Sequence, residues 1–174
     1  PQMLEYLEVG DLFQLLASEI NAGNKYDIII LQNVLEHVLE PLSLSNLMKS
    51  LLEPSGIAIV TVPNDFSITQ NTLIESNKIS KRFWLCPPDH ITYFNLKSLT
   101  KFFERESWNI LDTIADFPID LYLFHDASNY VNNNLQGKHA HQARVAFENM
   151  LHENDINDVI DLCRSAATCG IGRD

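Results

Sequence analysis

The chain has 174 residues, 45% of them hydrophobic, which is enough for one ordinary core and too little for two. Its 12 basic residues against 23 acidic ones leave a net charge of -11. That balance argues against nucleic acid or an acidic membrane as the main partner, because both need a basic surface to displace counterions.

In chain order, Leu4 to Val9 alternates loosely and is expected as an edge or third strand, with Gly10-Asp11 as its turn. Phe13 to Ile20 puts Phe13, Leu16, Ala17 and Ile20 on one helical face, with Asp11 as a plausible cap. After a polar loop, Asp27 to Leu31 is an Ile- and Leu-rich run that suits a strand in a parallel sheet. Pro41 to Leu52 is expected as a helix, and Pro54-Ser55-Gly56 as its end. Ile57 to Val62 then reads as a second apolar strand, stopped by Pro63. Strand, helix and strand in this order predict a βαβ crossover.

Beyond Val62 the texture changes. Pro63 to Ile79 is polar, and the stretch that follows brings together aromatics, two prolines and His90. A connection of this length is expected to be a lid or binding segment, residues 63–94. Asn95 to Glu106 predicts a helix capped by Asn95 or Ser98, burying Leu99, Phe102 and Phe103. Trp108 to Ile114 and Ile119 to Phe124 are expected as short strands. Two helices follow, Lys138 to Leu151 and Ile156 to Thr168, with Gly170 as a natural stop. They are expected as a C-terminal helical cap, residues 125–174, on a first domain of residues 1–124.

No apolar run approaches the ~18 residues of a membrane span, and no charged-then-apolar leader opens the chain. A soluble, cytoplasmic protein is therefore expected. Cys86, Cys163 and Cys169 are odd in number and lack C-x-x-C spacing, so they are read as inert thiols. No metal set is expected. His125, His139, His141 and His152 have no ligand-like companions and are read as surface or cap residues.

In an open parallel sheet, ligands bind outside the carboxyl ends of the strands. The residues to inspect are therefore Gly10 and Asp11, then Gln32, Asn33, Glu36 and His37, then Pro63, Asn64 and Asp65. Asp89 and His90 of the lid follow directly from the last of these ends.

The segments VGDLFQL, YDIIILQNVLEHVLEP, LLEPSGIAIVTVPN and PPDHITYFNLKSL, in that order, resemble the class I S-adenosylmethionine-dependent methyltransferases. The likeness runs from about Leu7 to Ile114, and within the family it is to the small-molecule branch associated with sugar and polysaccharide genes. It implies an α/β fold: a Rossmann-like open sheet of mainly parallel strands. The fold would be partial, because the glycine-rich loop and the ribose-binding acidic residue of the family would lie ahead of Pro1. A sequence that is N-terminally incomplete, with weakened cofactor binding, is the expectation; the C-terminal end, CGIGRD, is read as another place where the chain was cut.

The resemblance further implies S-adenosyl-L-methionine as cofactor. Asp11 would accept from the adenine amino group and the Leu12 amide would meet the ring. Gln32 and Asn33 would line the methionine part and the sulfonium. A small-molecule acceptor, methylated on a hydroxyl or amine, is implied as partner. His37 and His90 compete as general base, with Asp89 able to orient either. Glu36, Asn64, Trp84, Tyr93 and Phe94 are assigned to the acceptor, although the aromatics, with Phe83, could equally be lid core. Helix cap and strand-end turn are the plainer readings of Asp11 and of Gln32-Asn33. A homo-oligomer stays open, as does a non-catalytic methyltransferase-like binding module. Dinucleotide oxidoreduction is disfavoured by the Glu36-His37 pair and the Pro87-Pro88-Asp89-His90 lid.

Overall fold

The Ile-rich run pairs in parallel with the strand that lies one helix further along. In the computed structural model, which describes residues 6–174, the chain divides into two units at Thr61 and Val62.

The first unit contains helix α1 (Leu12–Asn21), strand β1 (Tyr26–Gln32), helix α2 (Pro41–Leu51) and strand β2 (Leu52–Thr61). Helix α1 starts on Asp11, whose side chain accepts from the Gln14 amide at 3.0 Å and so satisfies one of the donors that every helix start leaves unpaired. Helix α2 starts on Pro41, a residue whose missing N–H costs nothing there, and it buries Leu44, Ser45, Met48 and Leu51. The two helices pack on each other. The strands run in register from Ile28 opposite Ile57 to Gln32 opposite Thr61, with one irregularity between Tyr26 and Ile28.

This register sorts the side chains by face. Ile29, Leu31, Ala58 and Val60 lie on the covered face. On the other face Ile28 and Ile30 are 58% and 67% exposed, and their partners Ile57 and Ile59 are 45% and 49% exposed. A parallel sheet is ordinarily covered on both faces. Here one face carries four open isoleucines.

The second unit contains helices α3 (Ile68–Glu75), α4 (Leu96–Arg105), α5 (Gly137–Asn154) and α6 (Ile156–Cys169), with a 3-10 helix over Ile119–Phe124. Leu73, Ile79, Trp84 and Leu123 form its core, with Ile74, Phe83, Tyr130 and Val131 packed around them. Helix α4 begins with a reciprocal capping box between Asn95 and Ser98. Its Phe102 meets Phe94 edge-on at 6.0 Å, and Phe103 meets Trp108 at 5.9 Å. Helix α6 starts on Asp155 and ends where Gly170 takes the left-handed conformation, φ +67°. Among the described residues, no helix is long and apolar enough to cross a membrane.

Three strand expectations are corrected. Of the one at Leu4 to Val9, Leu4 and Glu5 lie outside the described residues, and Tyr6 to Val9 form no strand and are exposed. Trp108 to Ile114 joins no ladder. The chain just beyond it pairs with other segments instead: the amides of Ala115 and Asp116 donate to the carbonyls of Cys163 and Asp174. Ile119 to Phe124 alternates in sequence but buries Asp120 and Leu123, three residues apart, which is the repeat of a 3-10 helix. In the expected lid, Ile68–Glu75 is a helix rather than a loop. A Ser67 and Gln70 capping box starts it, and it buries Thr69, Gln70 and Leu73.

Candidate functional site

The first unit presents its polar residues where β1 ends. Gln32 pairs with Thr61 as the last rung of the ladder, and the Asn33 amide then donates to the Thr61 carbonyl at 2.9 Å. Asn33 adopts φ +51°, a left-handed conformation that asparagine tolerates better than most residues. The chain thereby turns sharply off the strand, leaving both amide side chains exposed. A tight turn follows, closed by the His37 amide on the Val34 carbonyl at 3.0 Å.

That turn sends Glu36 inward and His37 outward. Glu36 is buried, and its Oε1 lies 3.6 Å from Nε2 of the partly exposed His37. Glu36 Oε2 has no hydrogen-bond partner among the described residues. The pair sets a buried carboxylate beside an imidazole that reaches solvent. Asp11, at the start of α1, uses Oδ1 for its cap and is otherwise exposed, so the cap leaves its second oxygen to solvent.

The second unit builds its polar residues around the turn that follows Val62. Asp65 is buried and its amide donates to the Phe94 carbonyl at 2.6 Å. Phe66 then takes φ +53°, a conformation unusual for a bulky side chain. Its ring is held edge-on by Trp84 at 5.9 Å and by Tyr93 at 6.0 Å. Such outliers persist only when their surroundings over-determine them, and they gather at binding sites. Beside it lies a wide-open cavity, closer to a surface depression than to an enclosed space, of about 360 Å³, lined by Asn64, Phe66, Ile68, Asn95, Lys97 and Cys169 among others.

Of the residues expected to meet an acceptor, Asn64 lies on this wall and Tyr93 supports it through Phe66. Tyr93 also accepts from the Cys86 amide through its hydroxyl at 3.3 Å. Trp84 and Phe94 are buried, Trp84 in the core of the unit and Phe94 against α4. His90 is half-buried, with its ring 6.0 Å from that of Tyr93 and its amide on the Cys86 carbonyl at 3.0 Å. Asp89 beside it is exposed.

Phe66, Lys97, Cys169 and the end of α6 belong to the cavity wall although sequence reasoning passed over them. Ser67-x-x-Gln70 is the signal that could have found the helix start beside the cavity. A left-handed phenylalanine leaves no such signal.

Residues 8–113 match the family described as Methyltransferase domain. No curated protein and no solved structure matches the chain.

Proposed function

The chain belongs to the methyltransferase-domain family, and on that premise we propose that it transfers a methyl group from S-adenosyl-L-methionine to a hydroxyl or amine of a small molecule, in the class of sugars or polysaccharide precursors. The observation that carries this reading is the family match over residues 8–113, which includes the whole βαβ unit and the turn bearing Glu36 and His37. In the same reading the two parallel strands are part of a Rossmann-like sheet, and the protein works in the cytoplasm.

The residues of the first unit fit the cofactor chemically. Asp11 offers a carboxylate oxygen and Leu12 a neighbouring amide, a pair matched to the amino and ring nitrogens of adenine. Gln32 and Asn33 offer exposed amide oxygens at the carboxyl end of β1, where a cation such as a sulfonium is stabilised. When bound, S-adenosyl-L-methionine supplies the electrophilic methyl group.

The remaining work falls to the protein's own side chains. His37 accepts the proton that the acceptor hydroxyl or amine gives up as its oxygen or nitrogen gains the methyl, and Glu36 stabilises the resulting imidazolium. His90, with Asp89 beside it in sequence, is the alternative base. In the second unit the cavity beside Phe66 is a small-molecule site in its own right, with Asn64 and Asn95 as its polar lining and Phe66 as an apolar one. Positioning contributes most of the rate in such a site, and the base adds a factor of about 10² to 10⁴.

Calorimetric titration of S-adenosylhomocysteine into the intact encoded protein tests the cofactor assignment. Saturable binding at one site is the expected result. Its absence, with the protein folded, would leave a non-catalytic binding module as the better account. Replacing His37 and His90 singly by alanine then separates the bases. The true one lowers turnover about 100-fold or more while cofactor affinity stays within twofold.

A further inference from the structure

The turn that carries Asn64 is held from behind by the segment that follows α6. The Asn64 amide donates to the Arg173 carbonyl at 3.0 Å, and its side-chain Nδ2 donates to the carbonyls of Gly170 at 3.2 Å and Gly172 at 2.8 Å. All three donors of Asn64 therefore point into one short stretch of chain. That stretch is itself tied down. The amides of Ile171 and Gly172 both return to the Ala166 carbonyl, and the Asp174 carbonyl accepts from the Asp116 amide at 3.2 Å.

The Arg173 side chain fixes the other end. Its guanidinium lies 3.9 Å from Asp120 Oδ2 and stacks over the Phe83 ring at 5.4 Å from the centroid. Asp120 is buried, and it is held in turn by the Tyr130 hydroxyl at 2.8 Å and by Gln70 at 3.5 Å. Gln70 belongs to the capping box of α3, the helix that starts immediately after Phe66. A closed circuit results: Asn64 to Arg173, Arg173 to Asp120, Asp120 to Gln70, and Gln70 back along the chain to Phe66 and Asn64. The cavity wall contains Asn64, Phe66 and Ser67 on one side and Thr168, Cys169 and Gly170 on the other, so the circuit braces the wall from behind.

We propose that Gly172 and Arg173 are positioning residues, and that the Gly170–Asp174 segment is a strap that sets the Asn64–Phe66 turn in the shape the cavity requires, with Arg173 anchored on Asp120. In treating the cavity as a small-molecule site, the proposal rests on the function given above. The strap itself stands on the hydrogen bonds and the ion pair alone. It assigns Asn64 a double part: its donors hold the strap, and only its side-chain oxygen is left for a ligand. It also makes the end of α6 part of the cavity wall rather than an appendage.

Amide hydrogen exchange on the intact encoded protein tests this, with S-adenosylhomocysteine titrated into the same samples. Arg173→Ala should raise the exchange rate of the Asn64 amide tenfold or more, with the amides of Leu73 and Leu123 protected as in the wild type. Arg173→Lys keeps the cation and should restore most of the protection. Asp120→Asn, which keeps the shape of the anchor and removes its charge, should reproduce the effect of Arg173→Ala. Unchanged Asn64 exchange in folded Arg173→Ala or Asp120→Asn overturns the strap, and so does a lysine variant no better protected than the alanine one. Failure of S-adenosylhomocysteine to bind the wild type counts against the functional reading instead and leaves the exchange result to decide the strap.

Discussion

A Cβ placed on Gly172 would lie 2.3 Å from the Cβ of Ala115 and 3.0 Å from the Asp116 carbonyl oxygen. No other residue fits there without moving the backbone of one segment or the other. The strap can follow its path only because residue 172 has no side chain. Gly172→Ala should therefore lower stability by about 1–3 kcal/mol, the usual cost of forcing an extra carbon into a filled site. Chemical denaturation followed by fluorescence measures it. A midpoint equal to that of the wild type would show that the strap can lift away freely.

Tyr130 and Asp120 form the buried end of the same circuit, and they make stability depend on pH. Burial first, and then the Asp120 charge, push the Tyr130 hydroxyl well above its ordinary value of 10.0. The folded state thus holds this proton more tightly than the unfolded chain does. Stability from this source is complete below pH 10 and is lost as pH rises through the range between the two values. Tyr130→Phe removes that alkaline loss. It also leaves a carboxylate oxygen of Asp120 without its donor, at a cost of about 1–3 kcal/mol at neutral pH. Unfolding curves collected from pH 7 to 11 should show a lower but flatter profile for the variant; parallel profiles would mean that the hydroxyl is not buried against Asp120.

The parts of the fold legible in the sequence were those that burial writes as a simple period. The IIIL run, the IAIV run and the leucines of α2 gave the crossover because each has one dominant apolar pattern, and Asp11, Asn95 and Gly170 marked helix ends through well-defined local chemistry. Helix α3 did not show itself because it buries Thr69 and Gln70 alongside Leu73, so its inward face is not apolar. Ile119 to Phe124 looked like a strand because its Ile, Leu and Leu alternate, yet the burial of Asp120 against Tyr130 decided the outcome. The strap was invisible for a different reason. Its bonds to Asn64 span more than 100 positions of chain and are largely made by backbone carbonyls, which every residue possesses.

The open face of the β1–β2 ladder also predicts behaviour in solution. Ile28, Ile30, Ile57 and Ile59 stand side by side in register, so their exposed surfaces merge into one apolar patch. Patches of this kind bind apolar dyes and promote association. Ile28→Thr combined with Ile59→Thr keeps the β-branched shape that suits a strand while replacing an ethyl group with a hydroxyl at each position. Dye fluorescence should fall by about half, with stability changed by no more than about 1 kcal/mol. Full dye binding in the double variant would place the patch elsewhere.

Asp11 offers the sharpest separation of structure from function, because its two parts use different oxygens. Oδ1 accepts from the Gln14 amide and caps α1. The proposed adenine contact needs the carboxylate's second oxygen and its charge. Serine caps a helix about as well as aspartate, whereas alanine forfeits about 1 kcal/mol. Asp11→Ser should therefore unfold with the wild type, and Asp11→Ala should unfold measurably earlier. If the carboxylate meets adenine, both variants lose affinity for S-adenosylhomocysteine by about tenfold, the equivalent of one hydrogen bond. A serine variant that is as stable as the wild type and binds as well would confine Asp11 to capping the helix. A serine variant that is stable but binds weakly would assign the carboxylate to the cofactor, since the fold has then been shown to be intact.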